Sequence, residues 1–365
     1  MERATEIIRV AEAGRWMTVF VCAGCDAVLS SQLAQVALPV HAHQKWGHRL
    51  LPVLMEPGTY AVDSEPSGPP WRPWGEISED DAAARGVFAP ASLSFGPPGA
   101  IVIAPGDARG TVLIPDRCGG YCCGLDGRDG LNLACAQCGQ PVATRIDDCS
   151  LWQAVWFVPN AVRALRDNQP TGGITGWEWQ KWQAVSPVAP DGSWNPQWAA
   201  AVGAGLAHLL AASEGIPVAL PNGPITDTFD HALNALLPTA APAKTVALAG
   251  PGLPARESTR RILLVPQHPQ TGERWLASTT AKTVPMPAAA WKQLAFPGEA
   301  LLLPVTGGLP DGVQRDDPLP QHPWEPLRPD WGVFLHTLAR IPAVREPWLR
   351  RIYDQVKEHP YARPF

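Results

Sequence analysis

The chain carries little charge and no concentration of basic residues. Asp, Glu, Lys and Arg make up 17% of its 365 residues, and the formal net charge is −5. A protein that binds nucleic acid neutralises phosphates with a basic stripe, so nucleic acid is not an expected partner. No apolar run approaches the roughly 18 residues of a membrane span, and the charged N-terminus lacks the pattern of a secretory signal. We therefore expect a cytoplasmic protein that does not associate with membranes.

Several widespread catalytic signatures are also missing. No P-loop, Gly-x-Ser-x-Gly elbow or Gly-x-Gly-x-x-Gly loop stands in a fitting context. Nothing therefore supports an NTPase, a serine hydrolase or a dinucleotide-binding enzyme. The chain is instead rich in Pro (41), Gly (33) and Trp (16), and 45% of its residues are hydrophobic. This combination indicates a turn-rich but packed protein rather than a disordered one.

The clearest feature present is a pair of Cys-x-x-Cys knuckles, Cys22-Ala-Gly-Cys25 and Cys135-Ala-Gln-Cys138. Each follows an apolar lead-in and carries a Gly beside or after a ligand position, which is typical of a strand, a turn and a second strand. Two such turns supply the four thiolates of a closed tetrahedral Zn²⁺ site. Because four thiolates leave no open coordination position, we predict a structural zinc. Redox thiols and short-loop disulfides are the alternatives, and a reducing compartment favours the metal.

The other four cysteines are Cys118, Cys122, Cys123 and Cys149, the first three in a Gly-rich segment. One interpretation is a second metal site. A rival set joins Cys118 and Cys122 to the second knuckle in place of the first, since that spacing also suits zinc. Adjacent cysteines are poor ligands for one metal, so we expect Cys122 and Cys123 to have different roles. As small buried apolar residues, Cys123 and Cys149 would be ordinary free cysteines.

The strongest enzymatic signal is His41-Ala-His43, with His48 close by. Residues two apart on a strand face the same side, so both imidazoles could bind a metal with an open position, with Glu56 or Asp63 as the base. The alternative function is therefore a metal-dependent hydrolase or deaminase that uses His41, His43 and His48. A polar surface loop is the competing interpretation of the same residues.

The patterns divide the chain into a β-rich zinc-binding domain over 1–158, a linker with an aromatic segment over 159–194, and an α+β domain over 195–365. The predicted fold class is α+β. Trp177, Trp179 and Trp182 form an aromatic cluster in the linker. They could make a binding surface, but we expect them to pack, because large aromatic side chains mostly serve cores.

Finer elements follow from capping and periodicity. Asn195 and Pro196 are the cap and first position of a clear helix with one apolar face. Two short β-branched runs, 100–103 and 111–114, flank a turn and predict a hairpin. The pattern predicts helices over 160–167, 196–210, 225–237, 331–339 and 345–357.

The two knuckles and their flanks carry a resemblance. Phe20-Val-Cys-Ala-Gly-Cys-Asp-Ala-Val-Leu-Ser and Leu133-Ala-Cys-Ala-Gln-Cys-Gly-Gln-Pro-Val-Ala resemble the β-tent zinc domains. This group includes yippee-like proteins, the thalidomide-binding domain of cereblon and methionine sulfoxide reductase B. In such domains two knuckles from two β-layers share one zinc, with a variable insert between them. The resemblance covers the N-terminal part only and implies a binding or scaffold module for an unidentified protein or small-molecule ligand.

The resemblance also implies two specific roles. Cereblon-like domains hold a small cyclic imide or pyrimidine-like ligand in a tryptophan cage, for which Trp71, Trp74, Trp152 and Trp156 are candidates. In the reductase a cysteine near an arginine performs the chemistry. Here Cys149 lies too close in sequence to the second knuckle to match that pattern, so the activity does not transfer.

Overall fold

The computed structural model describes residues 16–170, 176–189, 191–241, 244–254, 261–276, 280–298, 303–304, 321–323 and 325–359. They form two compact units. The first takes in the described residues up to Ser78, together with Ala91–Glu178 and His268–Glu273. The second takes in Glu79–Pro90, Trp179–Gln267 and the described residues from Arg274 onward. None of the described helices is both long and apolar enough to cross a membrane.

The first unit is built on one large sheet. Its strands, in chain order, are β1 Trp16–Cys22, β2 Leu33–Gln35, β3 Thr59–Pro66, β4 Trp71–Arg72, β5 Leu93–Ser94, β6 Pro98–Ile103, β7 Thr111–Leu113, β8 Leu133–Cys135, β9 Pro141–Ile146, β10 Ala154–Phe157 and β11 Val162–Pro170. Nine of them form a mixed sheet in the order β11-β1-β2-β3-β6-β10-β9-β8-β7, and β4 pairs with β5 separately. All pairs in the large sheet are antiparallel except β2 with β3.

The central strands of this sheet are buried on both faces. Successive strand residues point to opposite sides, and two core clusters divide them accordingly. Ile101 and Ile103 on β6 pack into one cluster with Phe157, whereas Val102 between them packs into the other with Trp152. This double burial explains why β6 has a continuous apolar run rather than an alternating one.

The sheet curls so strongly that distant strands meet. β1 and β8 are six strand positions apart in sheet order, which is about 29 Å in a flat sheet. Nevertheless, Cys22 Sγ at the end of β1 lies 3.6 Å from Cys138 Sγ just after β8. Twist accumulates across many strands and allows such a sheet to bend onto itself. The two predicted knuckles therefore come together only because the sheet closes.

A short seam, formed by residues 28–31 and 107–110, accompanies this closure. The amide of Arg109 donates to the carbonyl of Leu29 at 2.9 Å, and the amide of Ala136, inside the second knuckle, donates to the carbonyl of Gly110 at 2.9 Å. Gly110 has a φ of 53°, and a Cβ built there would lie 2.5 Å from the carbonyl oxygen of Val28. The seam therefore needs Gly110 for its backbone conformation and for its close approach to the neighbouring segment.

We expect Gly110→Ala to destabilise the first unit more than a matched glycine substitution does. Gly58→Ala is the control, because Gly58 also has a positive φ of 77° but an added Cβ there meets nothing within 4 Å. The control should cost about 1 kcal/mol in unfolding free energy from left-handed backbone strain alone. Gly110→Ala adds a backbone clash and should cost about 3 kcal/mol. Equal losses in urea unfolding of the two variants would contradict a tightly closed seam.

The second unit contains the six helices of the described chain and a parallel sheet. The helices are α1 Glu79–Ala84, α2 Pro196–Ser213, α3 Pro224–Leu236, α4 Ala288–Ala295, α5 Trp331–Ala339 and α6 Pro347–Glu358. The strands are β12 Val218–Ala219, β13 Lys244–Leu248, β14 Arg261–Gln267, β15 Lys282–Pro287, β16 Leu303–Pro304 and β17 Gln321–His322. β12 to β15 form a parallel sheet in chain order, and β16 pairs with β17.

Helix α2 is the central element of this unit, and most of its residues are buried. The Asn195 side chain caps it by accepting a hydrogen bond from the amide of Gln197 at 2.9 Å, as its position in the sequence predicts. Gly203 lets α5 approach closely, since a Cβ there would lie 2.5 Å from the carbonyl oxygen of Asp330. The helix is thus apolar on all sides because it is enclosed by other elements.

The helices and the mixed sheet agree with the α+β class. The helices predicted over 196–210, 225–237, 331–339 and 345–357 are confirmed as α2, α3, α5 and α6. The helix predicted over 160–167 is wrong, because those residues form a 3₁₀ turn followed by β11, paired to β1. The hairpin predicted between 100–103 and 111–114 is also wrong, because β6 pairs with β3 and β10 while β7 pairs with β8.

The aromatic cluster packs as expected. Trp179 stacks on Phe296 with ring centroids 4.0 Å apart. Trp182 is buried and meets Trp291 edge-on at 6.2 Å. Both pairs lie within the second unit, where Trp182 is a core residue and Trp179 is half-buried.

Candidate metal centre

The four knuckle cysteines meet at one point. All four sulfur atoms lie within 4.8 Å of one another; they belong to Cys22, Cys25, Cys135 and Cys138. Two of the pairs that cross between the knuckles are Cys22 with Cys138 at 3.6 Å and Cys25 with Cys135 at 3.6 Å. All four are free thiols. The structure therefore brings the predicted set together without disulfide bonds.

The two knuckles are built in the same way. In the first, the amide of Asp26 donates to the carbonyl of Cys22 at 3.0 Å, and the amide of Cys22 donates to the carbonyl of Ala27 at 2.8 Å. In the second, the amide of Gly139 donates to the carbonyl of Cys135 at 2.9 Å, and the amide of Cys135 donates to the carbonyl of Gln140 at 2.8 Å. The hydrogen bonds thus join the same positions in both turns, four and five residues after the first cysteine. Such turns aim both sulfurs of a knuckle at one point.

Each turn needs a left-handed residue at its fifth position. Gly139 occupies it in the second knuckle with a φ of 75°, and Asp26 occupies it in the first with a φ of 61°. Asp is one of the few residues other than glycine that tolerates this conformation. Gly24 is required for a different reason, because a Cβ there would lie only 2.4 Å from Oε1 of Gln140. It therefore leaves room for the side chain that follows the second knuckle.

The sulfur separations fit a tetrahedral metal. With metal–sulfur bonds of about 2.3 Å, the edges of a regular tetrahedron of sulfurs are about 3.8 Å long, close to the two cross-knuckle distances of 3.6 Å. Thiolates are soft ligands that select zinc, copper(I) and iron–sulfur clusters over calcium or magnesium. Cys22 and Cys135 are fully buried, whereas Cys138 is exposed. The group is therefore geometrically compatible with one metal ion.

The thiols differ in acidity. A hydrogen bond from the backbone of Ala27 lowers the pKa of Cys25, but burial and contacts with the other three sulfurs outweigh it and raise the pKa to about 12. Burial raises the pKa of Cys135, but the backbone amides of Cys138 and Gln137 and the neighbouring thiols outweigh it and lower the pKa to about 7. Sulfurs this close cannot all ionise unless a cation compensates their charge. A bound cation would compensate the charge of these sulfurs in their thiolate form.

The other cysteines do not join this group. Cys118 Sγ contacts the carbonyl oxygen of Ile114 at 3.2 Å, so the rival set of Cys118 and Cys122 with the second knuckle is not assembled. Cys122 and Cys123 instead form a second group with Asp148 and Cys149. Both sulfurs of the adjacent cysteines enter the same group, and the expectation that the two residues have different roles stays a prediction.

The three histidines lie in three different environments. His41 packs on Trp152 with ring centroids 4.4 Å apart, and burial lowers its pKa to about 4. His43 Nε2 pairs with the buried Asp63 at 3.1 Å. His48 Nδ1 lies 3.8 Å from Cys149 Sγ. Among the residues that the structure describes, these histidines are not brought together as ligands of one metal.

The candidate tryptophans have core and surface positions. Trp152 is buried, and its Nε1 donates to Oε1 of Gln44 at 3.2 Å. Trp156 packs against the same core cluster. Trp71 lies on β4 and is 59% exposed, and Trp74 begins a 3₁₀ turn. A ligand cage made from these rings stays a prediction.

Comparison of the chain with protein-family models, with curated proteins and with solved structures yields no match. The β-tent resemblance therefore rests on the two knuckles and their flanks.

Proposed function

We propose that this chain is a binding or scaffold module whose β-rich unit is stabilised by a structural zinc ion at Cys22, Cys25, Cys135 and Cys138. One observation carries the proposal. Two knuckles 110 positions apart in the chain, on strands six positions apart in the sheet, present four sulfurs with the separations of a tetrahedral site. When bound, the metal supplies a crosslink between the two sides of the curled sheet.

A four-thiolate site points to structure rather than catalysis. A catalytic zinc keeps one position for water or substrate, whereas four cysteine ligands fill the coordination shell. Zinc also fits the geometry, because it has no preference for planar or octahedral arrangements. The histidines that could have made an open site lie apart in the described structure, so they lend no support to a metal-dependent hydrolase or deaminase.

The rest of the proposal follows from the thiols and the resemblance. All eight cysteines are free, which suits a cytoplasmic protein because thiols stay reduced there. The identical construction of the two knuckles supports a β-tent-like arrangement for the first unit. By that resemblance, the partner would be a protein or a small-molecule ligand.

Metal removal tests this proposal. Dialysis of the full chain against a strong chelator under reducing conditions should remove zinc and abolish the cooperative thermal unfolding of the first unit. Added zinc should restore it, because binding free energy of about 10 kcal/mol is coupled to folding. Magnesium should not restore it, since thiolates are poor magnesium ligands. A metal-free chain that keeps its full thermal stability would refute the structural role.

A further inference from the structure

A second group of metal-ligand side chains lies in the first unit, apart from the four knuckle cysteines. It comprises the sulfurs of Cys122, Cys123 and Cys149 and a carboxylate oxygen of Asp148, all within 4.8 Å of one another. Cys122 Sγ lies 3.3 Å from Cys123 Sγ, and all three cysteines are free. We propose that this group is a second zinc site, open to solvent, that binds its ion more weakly and exchanges it faster than the four-cysteine site.

The two segments that supply these ligands are held together by backbone pairing. The amide of Leu125 donates to the carbonyl of Asp147 at 3.0 Å, and the amide of Asp147 donates back to Leu125 at 2.8 Å. Gly124 makes this approach possible, because a Cβ there would lie 2.3 Å from the carbonyl oxygen of Asp147. The pairing places Cys123 next to Asp148 without any metal.

Asp148 is a fixed anion inside the group. It is 4% exposed, and its Oδ1 accepts hydrogen bonds from the amides of Cys123 and Cys149, both at 2.7 Å. A buried carboxylate is costly unless it is hydrogen-bonded or paired with a cation. The amides therefore hold the carboxylate in the orientation that brings one oxygen close to the three sulfurs.

The Gly-rich segment that carries Cys122 and Cys123 is organised by its own aspartates. Asp126 Oδ2 accepts from the amide of Tyr121 at 3.1 Å, and Asp129 Oδ2 accepts from the amide of Gly119 at 2.9 Å. The carboxylates of Asp126 and Asp129 therefore stabilise turns of the loop rather than bind a metal. The two cysteines thus stand on a preformed loop, which reduces the ordering cost of binding a metal.

Exposure distinguishes the two groups. Each group has two buried donors, but the four-cysteine group has one exposed sulfur, Cys138, whereas the second group has two, Cys122 and Cys123. A chelator or another ligand can therefore reach an ion here directly. Adjacent cysteines are in general poor ligands for one metal, but here the sulfurs of Cys122 and Cys123 already lie 3.3 Å apart and within 4.8 Å of the other two donors. Three thiolates and one carboxylate then make a four-ligand set that suits zinc. Binding releases the thiol protons to solvent, so no oxidant or reductant takes part.

Metal counting on the full chain tests the second site. Under reducing conditions with excess zinc followed by desalting, the unaltered chain should carry about two zinc ions. The double variant Cys122→Ser with Cys123→Ser should carry about one and keep the thermal transition. Mixed with a chromogenic zinc chelator, the unaltered chain should release one equivalent at least about ten-fold faster than the other. The double variant should lack this fast phase.

Two further variants complete the experiment. Cys118→Ser, from the same loop but outside both groups, is the matched control and should keep about two zinc ions. Asp148→Asn, which can still accept from both amides, should weaken zinc binding at the second site by about ten-fold or more. A double variant that keeps two ions, or an unaltered chain that holds one ion and a Cys122–Cys123 disulfide, would overturn the second site.

The inference does not depend on the proposed function. If the unaltered chain and the double variant each hold one ion, the second site is refuted and the structural zinc stands. If the unaltered chain holds one ion and the double variant holds none, the structural zinc is refuted instead.

Discussion

Cys135→Ser is expected to prevent stable folding of the first unit. Cys135 is fully buried at the end of β8, and its sulfur lies 3.6 Å from that of Cys25. Serine cannot replace a thiolate ligand, so the variant should lose the zinc that we propose for this site and binding free energy of about 10 kcal/mol. That loss is comparable to the whole stability of a typical domain, about 5–15 kcal/mol. Soluble yield, zinc content and the thermal transition should all fall.

Cys118→Ser is the control for this experiment. Cys118 Sγ contacts the carbonyl oxygen of Ile114 and takes part in neither metal-ligand group. Its substitution should change the unfolding free energy by less than about 1 kcal/mol, because serine can keep a hydrogen bond to that carbonyl. If Cys135→Ser behaved like Cys118→Ser, the four-cysteine group would have no structural role.

Acid should destabilise the first unit through His41. Nε2 of His41 is buried without a hydrogen-bond partner, and burial lowers its pKa from 6.5 to about 4. The unfolded chain therefore binds this proton at a higher pH than the folded chain does. Stability from the neutral imidazole is complete above about pH 6.5 and is lost as the pH falls towards 4, by up to about 3 kcal/mol.

His41→Phe should remove this part of the pH dependence. Phenylalanine keeps an aromatic ring against Trp152 and carries no titratable group. Denaturant unfolding between about pH 7.5 and pH 4.5 should show a shallower loss of stability for His41→Phe than for the unaltered chain. Protonation of the knuckle cysteines affects both proteins alike, so the difference between them isolates His41.

His231→Phe supplies the reference, because His231 is exposed on α3 in the second unit. This substitution should leave the slope of stability against pH unchanged. A slope for His41→Phe equal to that of the unaltered chain would mean that His41 is not held neutral in the folded state.

The elements that sequence reasoning recovered are those whose signals are local. Helix α2 begins at an Asn-Pro cap and shows an apolar period, and both features depend only on residues within one or two turns. The knuckles are likewise local, because each Cys-x-x-Cys turn is closed by hydrogen bonds within six residues. Strand β11 was missed because Asn160-Ala-Val-Arg-Ala-Leu-Arg-Asp has good helix formers, and pairing with β1 overrides that propensity.

The second metal-ligand group shows the opposite situation. Cys122, Cys123 and Cys149 were visible as candidates, but their spacing matches no common ligand pattern. Their meeting depends on the pairing of Leu125 with Asp147 and on the absence of a side chain at Gly124. A signal was present in the glycines of 118–130, yet glycine alone does not reveal which backbone comes close.

Residue types and short spacings thus settled the donor chemistry of this protein: two thiolate pairs on tight turns, little charge and no common catalytic motif. The curled sheet decided which of these donors lie together. It brings Cys22 close to Cys138, although their strands are six positions apart in the sheet. The same folding separated His41, His43 and His48, although they are neighbours in the chain. Contacts between residues far apart in sequence depend on the sum of many weak packing interactions. That sum cannot be inferred from a short stretch of sequence.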